Sequence, residues 1–112
     1  MADYPEKTCS IDKLVTHKKL VRAALAGDKT QQRRAGVYGY PGEIFQLDGH
    51  DFRVTDVRHE RLGDMTEEHA HREGFEDLAA YMDLILRMHR GMEWDGDLLA
   101  WVHTFERVPS GG

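Results

Sequence analysis

The segment "GDKTQQRR", residues 27–34, places cationic and amide side chains directly after a stretch with an apolar stripe. In residues 17–26 the stripe has helical spacing and consists of Leu20, Val21, Ala24 and Leu25. Gly27 follows, and glycine commonly ends helices because it adopts the backbone conformation after the last turn at low steric cost. The pattern predicts a helix over 17–26 that leads into a polar segment.

Charge is distributed unevenly along the chain, which has 112 residues and a net charge of −5. Residues 13–34 contain seven Lys or Arg side chains and one acid, Asp28, so this segment is net +6 while the remainder is net −11. Such asymmetry can attract an anionic ligand to one region of an acidic protein. The alternative is that the folded surface intermixes these charges.

Length and composition predict one domain with a hydrophobic core. We expect this domain to span residues 9–108, with flexible tails at 1–8 and 109–112. The first residues lack the apolar core of a secretory signal, and no apolar run reaches the length of a membrane span. Cys9 is the only cysteine, which excludes an internal disulfide and a cysteine-based zinc site. Together these features indicate a cytoplasmic protein without membrane partners.

The first half of the chain contains two candidate strand regions. Residues 9–15, "CSIDKLV", predict a first strand, on which Cys9 is a small buried hydrophobe. Residues 43–57, "EIFQLDGHDFRVTDV", predict a hairpin, because Asp48-Gly49 between apolar-alternating runs is a strong turn signal.

The second half predicts two helices and a closing strand. Asp64 is the expected cap of a short helix, with Glu67 three residues later and Gly74 as its end. A second helix is expected over 76–89, with a core face of Leu78, Tyr81, Met82, Ile85 and Met88. Residues 97–108, "DLLAWVHTFERV", predict a closing strand, and Trp94 and Trp101 are expected at the core or its edge.

The order of these elements favours an α+β fold with a small mixed β-barrel and flanking helices. A doubly wound parallel sheet requires strands and helices to alternate, and they do not alternate here.

Three segments together resemble the ASCH domain family: "GDKTQQRR" at 27–34, "YPGE" at 40–43, and "FRVTDVRHERLGDMTEEHAHREGF" at 52–75. The resemblance covers roughly residues 10–108. It implies a PUA-like β-barrel that binds RNA or a modified nucleotide or nucleoside. One branch of the family resembles small bacterial amidohydrolases that deacetylate N4-acetylcytidine, and other members have been associated with RNA binding or RNA cleavage.

The amidohydrolase branch implies a lysine, a nucleophilic threonine three residues later, and a glutamate in the Thr-Glu helix. Lys29 and Glu73 match the lysine and the glutamate, and they are the candidate catalytic residues if the protein is an enzyme. The threonine position is Gln32, whose amide is not a nucleophile. Thr30 is nearby, but an offset of two residues along a strand moves its hydroxyl by about 6–7 Å.

The residues themselves also permit a binding site. Lys29 can attract a phosphate or act as a base, and Glu73 can pair with Lys29 or activate water. Arg33 and Arg34 point to opposite faces of an extended segment, so one of them can reach a ligand through its bidentate fork. The structural alternatives are a plain Lys29–Glu73 ion pair and solvated arginines at a strand end.

Tyr38 and Tyr40 can stack on a base, or they can cover the edge of the core. The candidate ligand-binding set is therefore Lys29, Thr30, Gln32, Arg33, Arg34, Tyr38 and Tyr40. We expect the side chains of Lys29 and Glu73 to line one cleft with at least one of the two arginines.

Metal binding is not predicted. His69 and Glu73 share a helix face, but His71 points elsewhere and the HExxH pattern is absent. No cofactor is expected.

Two functions remain: a module that binds RNA or a small nucleoside or nucleotide, and a hydrolase that acts on an acylated nucleoside or on RNA. The modest basic content favours a small ligand or a short single strand, because neutralising many phosphates requires more cations.

Overall fold

The computed structural model describes residues 4–88 and 94–109. Its helices and strands follow in the order of a 3-10 helix at Ile11–Lys13, α1 (Lys18–Leu25), β1 (Gln31–Arg34), β2 (Ile44–Leu47), β3 (His50–Arg61), a 3-10 helix at Leu62–Asp64, α2 (Glu67–Arg72), α3 (Leu78–Met88) and β4 (Leu99–Arg107). The α+β class predicted from the sequence is confirmed.

The four strands form one curled sheet, a half-barrel, in the order β1-β4-β3-β2. All three strand pairings in the described residues are antiparallel, so the barrel-like sheet is antiparallel rather than mixed. The predicted hairpin is β2–β3, and its turn at Asp48 and Gly49 uses positive φ angles of 50° and 81°. These angles suit the tight hairpin turn that an Asp-Gly pair favours.

The main hydrophobic core lies on one face of the sheet. Phe45, Phe52 and Phe105 pack their rings there with centroid distances of 5.5–5.9 Å. The predicted stripe of α1 covers this core, because Ala24 is buried and Leu20, Val21 and Leu25 pack against it. Trp101 packs at its edge, as predicted.

A second, smaller cluster holds α2 and α3 together. Met65, Ala70 and Tyr81 are buried there, and Leu78, Ile85 and Trp94 pack around them. This arrangement confirms most of the predicted core face of α3 and the predicted position of Trp94. Met82 is only partly buried, and the side chain of Met88 and residue 89 lie outside the described residues.

The strand predicted at residues 9–15 is wrong. Ile11–Lys13 forms a 3-10 helix instead, and Cys9 is partly buried outside any strand. The hydroxyl of Ser10 donates to the Asp12 carboxylate, a local side-chain contact of the kind that competes with strand pairing. Leu14 and Val15 are nevertheless buried in the main core, which explains why the segment has the apolar pattern of a strand.

The cap predicted at Asp64 is also wrong, although the short helix is present. Thr66 caps α2 by accepting a hydrogen bond from the His69 amide at 3.2 Å, and His69 Nδ1 accepts one from the Thr66 amide at 3.2 Å. Asp64 lies in the preceding 3-10 helix and contacts Arg61. Gly74 follows the last turn with a φ of 97°, as its predicted role as the helix end requires.

The described part of the N-terminal segment contacts the loop between β1 and β2. The Thr8 amide donates to the Val37 carbonyl at 3.0 Å, the Tyr40 hydroxyl donates to the Pro5 carbonyl at 2.9 Å, and Lys7 pairs with Glu43. Residues 1–3 and 110–112 of the predicted tails lie outside the described residues. No helix in the described ranges combines the length and apolar character that crossing a membrane requires.

Gly74 is expected to tolerate a side chain less well than Gly42. Both have φ near +95°, so Gly42→Ala should lower the free energy of unfolding by about 1 kcal/mol through backbone strain alone. Gly74→Ala should cost about 0.5–1 kcal/mol more, because its new methyl group would lie 3.3 Å from Lys29 Cβ and 3.4 Å from Ala23 Cβ. Urea unfolding of the two variants measures the difference. Equal losses would contradict close packing between Gly74 and Lys29.

Candidate functional site

The end of α2 meets the start of β1. The Thr30 amide donates to the Arg72 carbonyl at 2.7 Å, and Lys29 Nζ donates to the Glu73 carbonyl at 2.6 Å and the Gln31 carbonyl at 2.7 Å. Lys29 Nζ also lies 3.8 Å from Glu73 Oε1. The structure therefore brings together the two residues that the sequence singled out, although 44 positions separate them in the chain.

The Glu73 carboxylate is surrounded by donors. Its Oε1 accepts a hydrogen bond from the Arg33 amide at 3.2 Å, and its Oε2 accepts one from Arg33 NH1 at 3.0 Å. Arg33 NH2 reaches Glu60 Oε1 at 3.4 Å. We call Lys29, Arg33 and Glu73 the buried ion cluster: their side chains are 0–2% exposed, whereas Glu60 at its edge is 30% exposed.

Burial dominates the protonation behaviour of this cluster. Desolvation lowers the pKa of Lys29 to about 8, although the nearby Glu73 charge favours the protonated amine. Desolvation also raises the pKa of Glu73, against the opposing effect of Lys29 and Arg33. The pKa of Tyr81 is raised by burial and by the charge of Glu73. Lys29 therefore loses its proton at a lower pH than an exposed lysine does.

A polar cleft of about 350 Å³ lies between the sheet and α2. Its walls come from β1, β3, β4 and α2, and its lining residues are Gln31, Asp56, Arg58, Glu60, His69, Arg72 and Thr104. Gln31 and Glu60 connect this cleft to the buried ion cluster, because the Gln31 carbonyl accepts from Lys29 and the Glu60 carboxylate accepts from Arg33. The cluster itself is not part of the lining.

Gln31 is the most constrained polar side chain of the cleft wall. It is 9% exposed, and its Nε2 donates to the Thr104 hydroxyl at 3.3 Å. Its Oε1 is buried and has no hydrogen-bond partner among the residues that the structure describes. An unpaired buried acceptor costs roughly 1–3 kcal/mol, so a shift of this side chain that brings its oxygen to a ligand donor would be favourable.

Arg34 and Gln32 lie on the opposite face of β1, as strand alternation requires. Arg34 donates to the Leu14 carbonyl from Nε and NH2, at 3.1 and 2.7 Å, and its guanidinium lies 5.3 Å from the centre of the Tyr38 ring. The Gln32 amide donates to the Arg33 carbonyl at 3.1 Å, and its Oε1 is buried with no partner in the described part of the chain. Of the two arginines, Arg33 joins Lys29 and Glu73.

The remaining predicted ligand residues lie away from the polar cleft. Tyr38 packs edge-on against His103, and Tyr40 packs against Tyr4. Thr30 lines a second cavity, of about 170 Å³, at the end of α1. None of the three is among the lining residues of the polar cleft.

Sequence reasoning missed most of the cleft wall. Asp56, Arg58 and Glu60 alternate along β3, and this period of two is the signal that places them on one sheet face. Thr104 joins them because it pairs with both Gln31 and Asp56.

No group of three or more His, Cys, Asp or Glu side chains in residues 4–88 and 94–109 is arranged to hold a metal ion.

Comparison with known proteins identifies the fold. Neither family models nor curated protein sequences match the chain. Among solved structures, the ASCH domain from Lactobacillus crispatus JV V101 is similar with a TM-score of 0.69 and 17% identity, over 88% of this chain and 79% of that one. Protein EF3133 from Enterococcus faecalis V583, of the DUF984 family, has a TM-score of 0.54 and 15% identity, over 91% and 74% of the two chains. The chain therefore has a fold similar to that of an ASCH domain.

Removing the charge of Glu73 is expected to destabilise the protein far more than removing that of Glu60. Glu73→Gln leaves Lys29 and Arg33 buried without their counter-charge, and such losses cost about 3–5 kcal/mol. Glu60→Gln removes a partly exposed contact to the same arginine and should cost less than about 1 kcal/mol. Urea unfolding of both variants at pH 7 provides the comparison. A Glu73→Gln protein as stable as wild type would contradict a structural role for the cluster.

The lowered pKa of Lys29 predicts a distinctive pH dependence. Between pH 8 and the ordinary lysine pKa of 10.5, the folded state has lost the Lys29 proton while the unfolded state keeps it, so stability rises with pH. Relative to Lys29→Met, the wild-type free energy of unfolding should increase by about 1–2 kcal/mol from pH 8 to 9.5. Denaturant unfolding at these pH values measures the increase. Parallel pH profiles of the two proteins would contradict the lowered pKa.

Proposed function

We propose that the polar cleft binds a nucleoside or nucleotide, either free or as part of a short RNA segment. The observation that carries this proposal is Gln31, a buried amide in the cleft wall whose oxygen accepts no hydrogen bond from residues 4–88 or 94–109. Buried amides of this kind select ligands by hydrogen bonding, because a ligand without the matching donor leaves the amide unpaired. The exocyclic amine or ring N–H of a base is such a donor.

The other lining residues suit the remaining parts of a nucleotide. Arg58 pairs with Asp56 and Arg72 with Glu68 at the surface, and each arginine can exchange this partner for a phosphate. Asp56 and Glu60 can then accept hydrogen bonds from ribose hydroxyls. These charges nearly balance, which favours a ligand with one or two phosphates over a long phosphate backbone. A volume of about 350 Å³ falls in the range of small-molecule sites.

The buried ion cluster supports this site from behind. Glu73 holds Arg33 through two hydrogen bonds, and Arg33 holds Glu60 at the cleft. Lys29 holds the Gln31 carbonyl and so restrains the backbone that carries the unpaired amide. Preorganised polar groups bind with a smaller loss of conformational entropy.

Hydrolysis of an acylated nucleoside is the second candidate function of the same cleft. Its supporting observation is an amine with a pKa of about 8 beside a buried carboxylate. Such a pair can hold the proton that water releases when it attacks an acyl carbon. Because the pair is buried behind the lining of the cleft, this reaction requires the Gln31 segment to move and admit water to Lys29. For N4-acetylcytidine the products would be cytidine and acetate. Acetate release by the wild type that disappears in Lys29→Met would establish this candidate over simple binding.

Replacing Arg72 or Arg58 with alanine should weaken the binding of cytidine 5′-monophosphate by about 1–3 kcal/mol, because each loses a charge-assisted contact to the phosphate. Binding of cytidine, which has no phosphate, should change little. Isothermal titration calorimetry at low salt measures both ligands.

Arg53→Ala is the matched control for Arg58→Ala. Arg53 lies on the same strand, but it pairs with Glu106 outside the cleft. An equal loss in Arg53→Ala would reveal general electrostatic attraction rather than a site. Absence of binding of both cytidine compounds and of N4-acetylcytidine to the wild type would refute the proposed ligand class.

A further inference from the structure

The second half of β3 has one neighbouring strand instead of two. β4 pairs with this half throughout, whereas β2 pairs only with His50–Arg53, and the loop before β2 adds contacts only to Val54. A register shift between Val54 and Asp56 marks the point where the second neighbour ends. Within residues 4–88 and 94–109, no strand lies beside Val57–Arg61 on the side away from β4. An open strand edge of this kind is a template for pairing with another chain.

The backbone of this edge points its hydrogen-bonding groups outward. The Leu62 amide donates to the Leu98 carbonyl at 2.9 Å, and this bond continues the regular register between β3 and β4. Hydrogen-bonded positions alternate along an antiparallel pair. Val57, His59 and Arg61 therefore direct their amides and carbonyls away from β4, where a further strand could bind them.

An aromatic stack stands at the centre of this edge. His59 and its cross-strand partner Trp101 on β4 have rings that are parallel within 2°, with centroids 4.2 Å apart. Trp101 is partly buried against the main core, whereas His59 is exposed. The face of the His59 ring that is turned away from Trp101 is therefore directed to the position that a further strand would take.

Charges of opposite sign flank His59 on the other face of the strand. Its chain neighbours Arg58 and Glu60 line the polar cleft, and their side chains are 70% and 30% exposed. In an antiparallel pair of two identical strands centred on His59, Arg58 of each copy lies opposite Glu60 of the other. A pair centred on Arg58 would oppose two arginines and would also oppose Asp56 with Glu60. A pair centred on Val57 would bring the second copy against the loop before β2. The charges and the loop therefore favour the register centred on His59.

We propose that two copies of this chain associate edge to edge through β3, with the two His59 residues facing each other across a two-fold axis. Val57–Arg61 of one copy pairs antiparallel with the same segment of the other, so the outward amides and carbonyls bind each other and one sheet spans both copies. The two His59 rings stack on each other between the two Trp101 rings. Because the edge is complementary in charge to itself under this rotation, its partner is a second copy rather than an unrelated strand.

Sedimentation equilibrium of the protein without ligand tests the association. We expect the wild type to form a reversible dimer. His59→Glu should weaken the dimer by about 5- to 50-fold, because it replaces a stacked pair by two like charges directly opposite each other. His59→Phe keeps the flat rings and should stay within about threefold of wild type. Ile44→Glu is the matched control, since Ile44 is exposed on the edge strand β2 and lies outside the proposed contact.

Cysteine cross-linking tests the register. In a Cys9→Ser background, which has no other thiol, His59→Cys places two thiols at directly opposed positions. The Cα atoms of such a hydrogen-bonded antiparallel pair are about 5.5 Å apart, which suits a disulfide. The thiol oxidant diamide should therefore convert this variant to a covalent dimer. Arg61→Cys in the same background is the control, because position 61 of one copy would be offset from position 61 of the other by about 13 Å along the strands.

A wild type that remains monomeric at every concentration would overturn the proposal. A His59→Glu variant that dimerises as tightly as wild type, or an Ile44→Glu variant that loses as much affinity as His59→Glu, would also overturn it. So would an Arg61→Cys variant that cross-links as readily as His59→Cys. Because these experiments contain no nucleotide, their outcomes are independent of whether the cleft binds one.

Discussion

The rest of the structure depends on one buried carboxylate, that of Glu73. It receives two hydrogen bonds from Arg33 and lies 3.8 Å from Lys29 Nζ, so it joins the end of α2 to the first strand. Charges in this position are costly unless each is paired and hydrogen-bonded. Here Lys29 also donates to two backbone carbonyls, and Arg33 also reaches Glu60. Because every charge of the cluster is paired, these contacts hold α2 against the sheet, and the cleft lies between the two.

The sheet separates two environments. One face carries the aromatic core under α1, and the other carries alternating polar side chains that face α2. The two faces share strands, so each side chain on β3 belongs to one environment and its neighbours belong to the other. Neighbouring side chains on β3 are therefore close along the chain but separated by the thickness of the sheet.

Short sequence patterns predicted the structure correctly where neighbouring residues determine the backbone conformation. The Asp48-Gly49 turn, the stripe of α1 and the Gly74 helix end are all present as predicted, because backbone conformation and short-range periodicity determine them. The strand predicted at residues 9–15 is wrong because Leu14 and Val15 are buried in the main core, and this gives the segment the apolar pattern of a strand. The cap predicted at Asp64 is wrong because Thr66 and His69 form a capping box, in which the side chain of each accepts a hydrogen bond from the backbone amide of the other.

The sequence by itself determined the α+β class and the resemblance to an ASCH domain, and it singled out Lys29, Glu73 and the adjacent arginines as candidates, since these depend on residue types and spacings along the chain. Only the tertiary structure decided that Arg33 rather than Arg34 joins Glu73, and that the cluster lies behind the cleft instead of lining it. It also decided that Asp56, Arg58, Glu60 and Thr104 form the wall. The physical reason is strand register: pairing across β1, β4 and β3 selects which alternate side chains meet, and no local pattern encodes that choice.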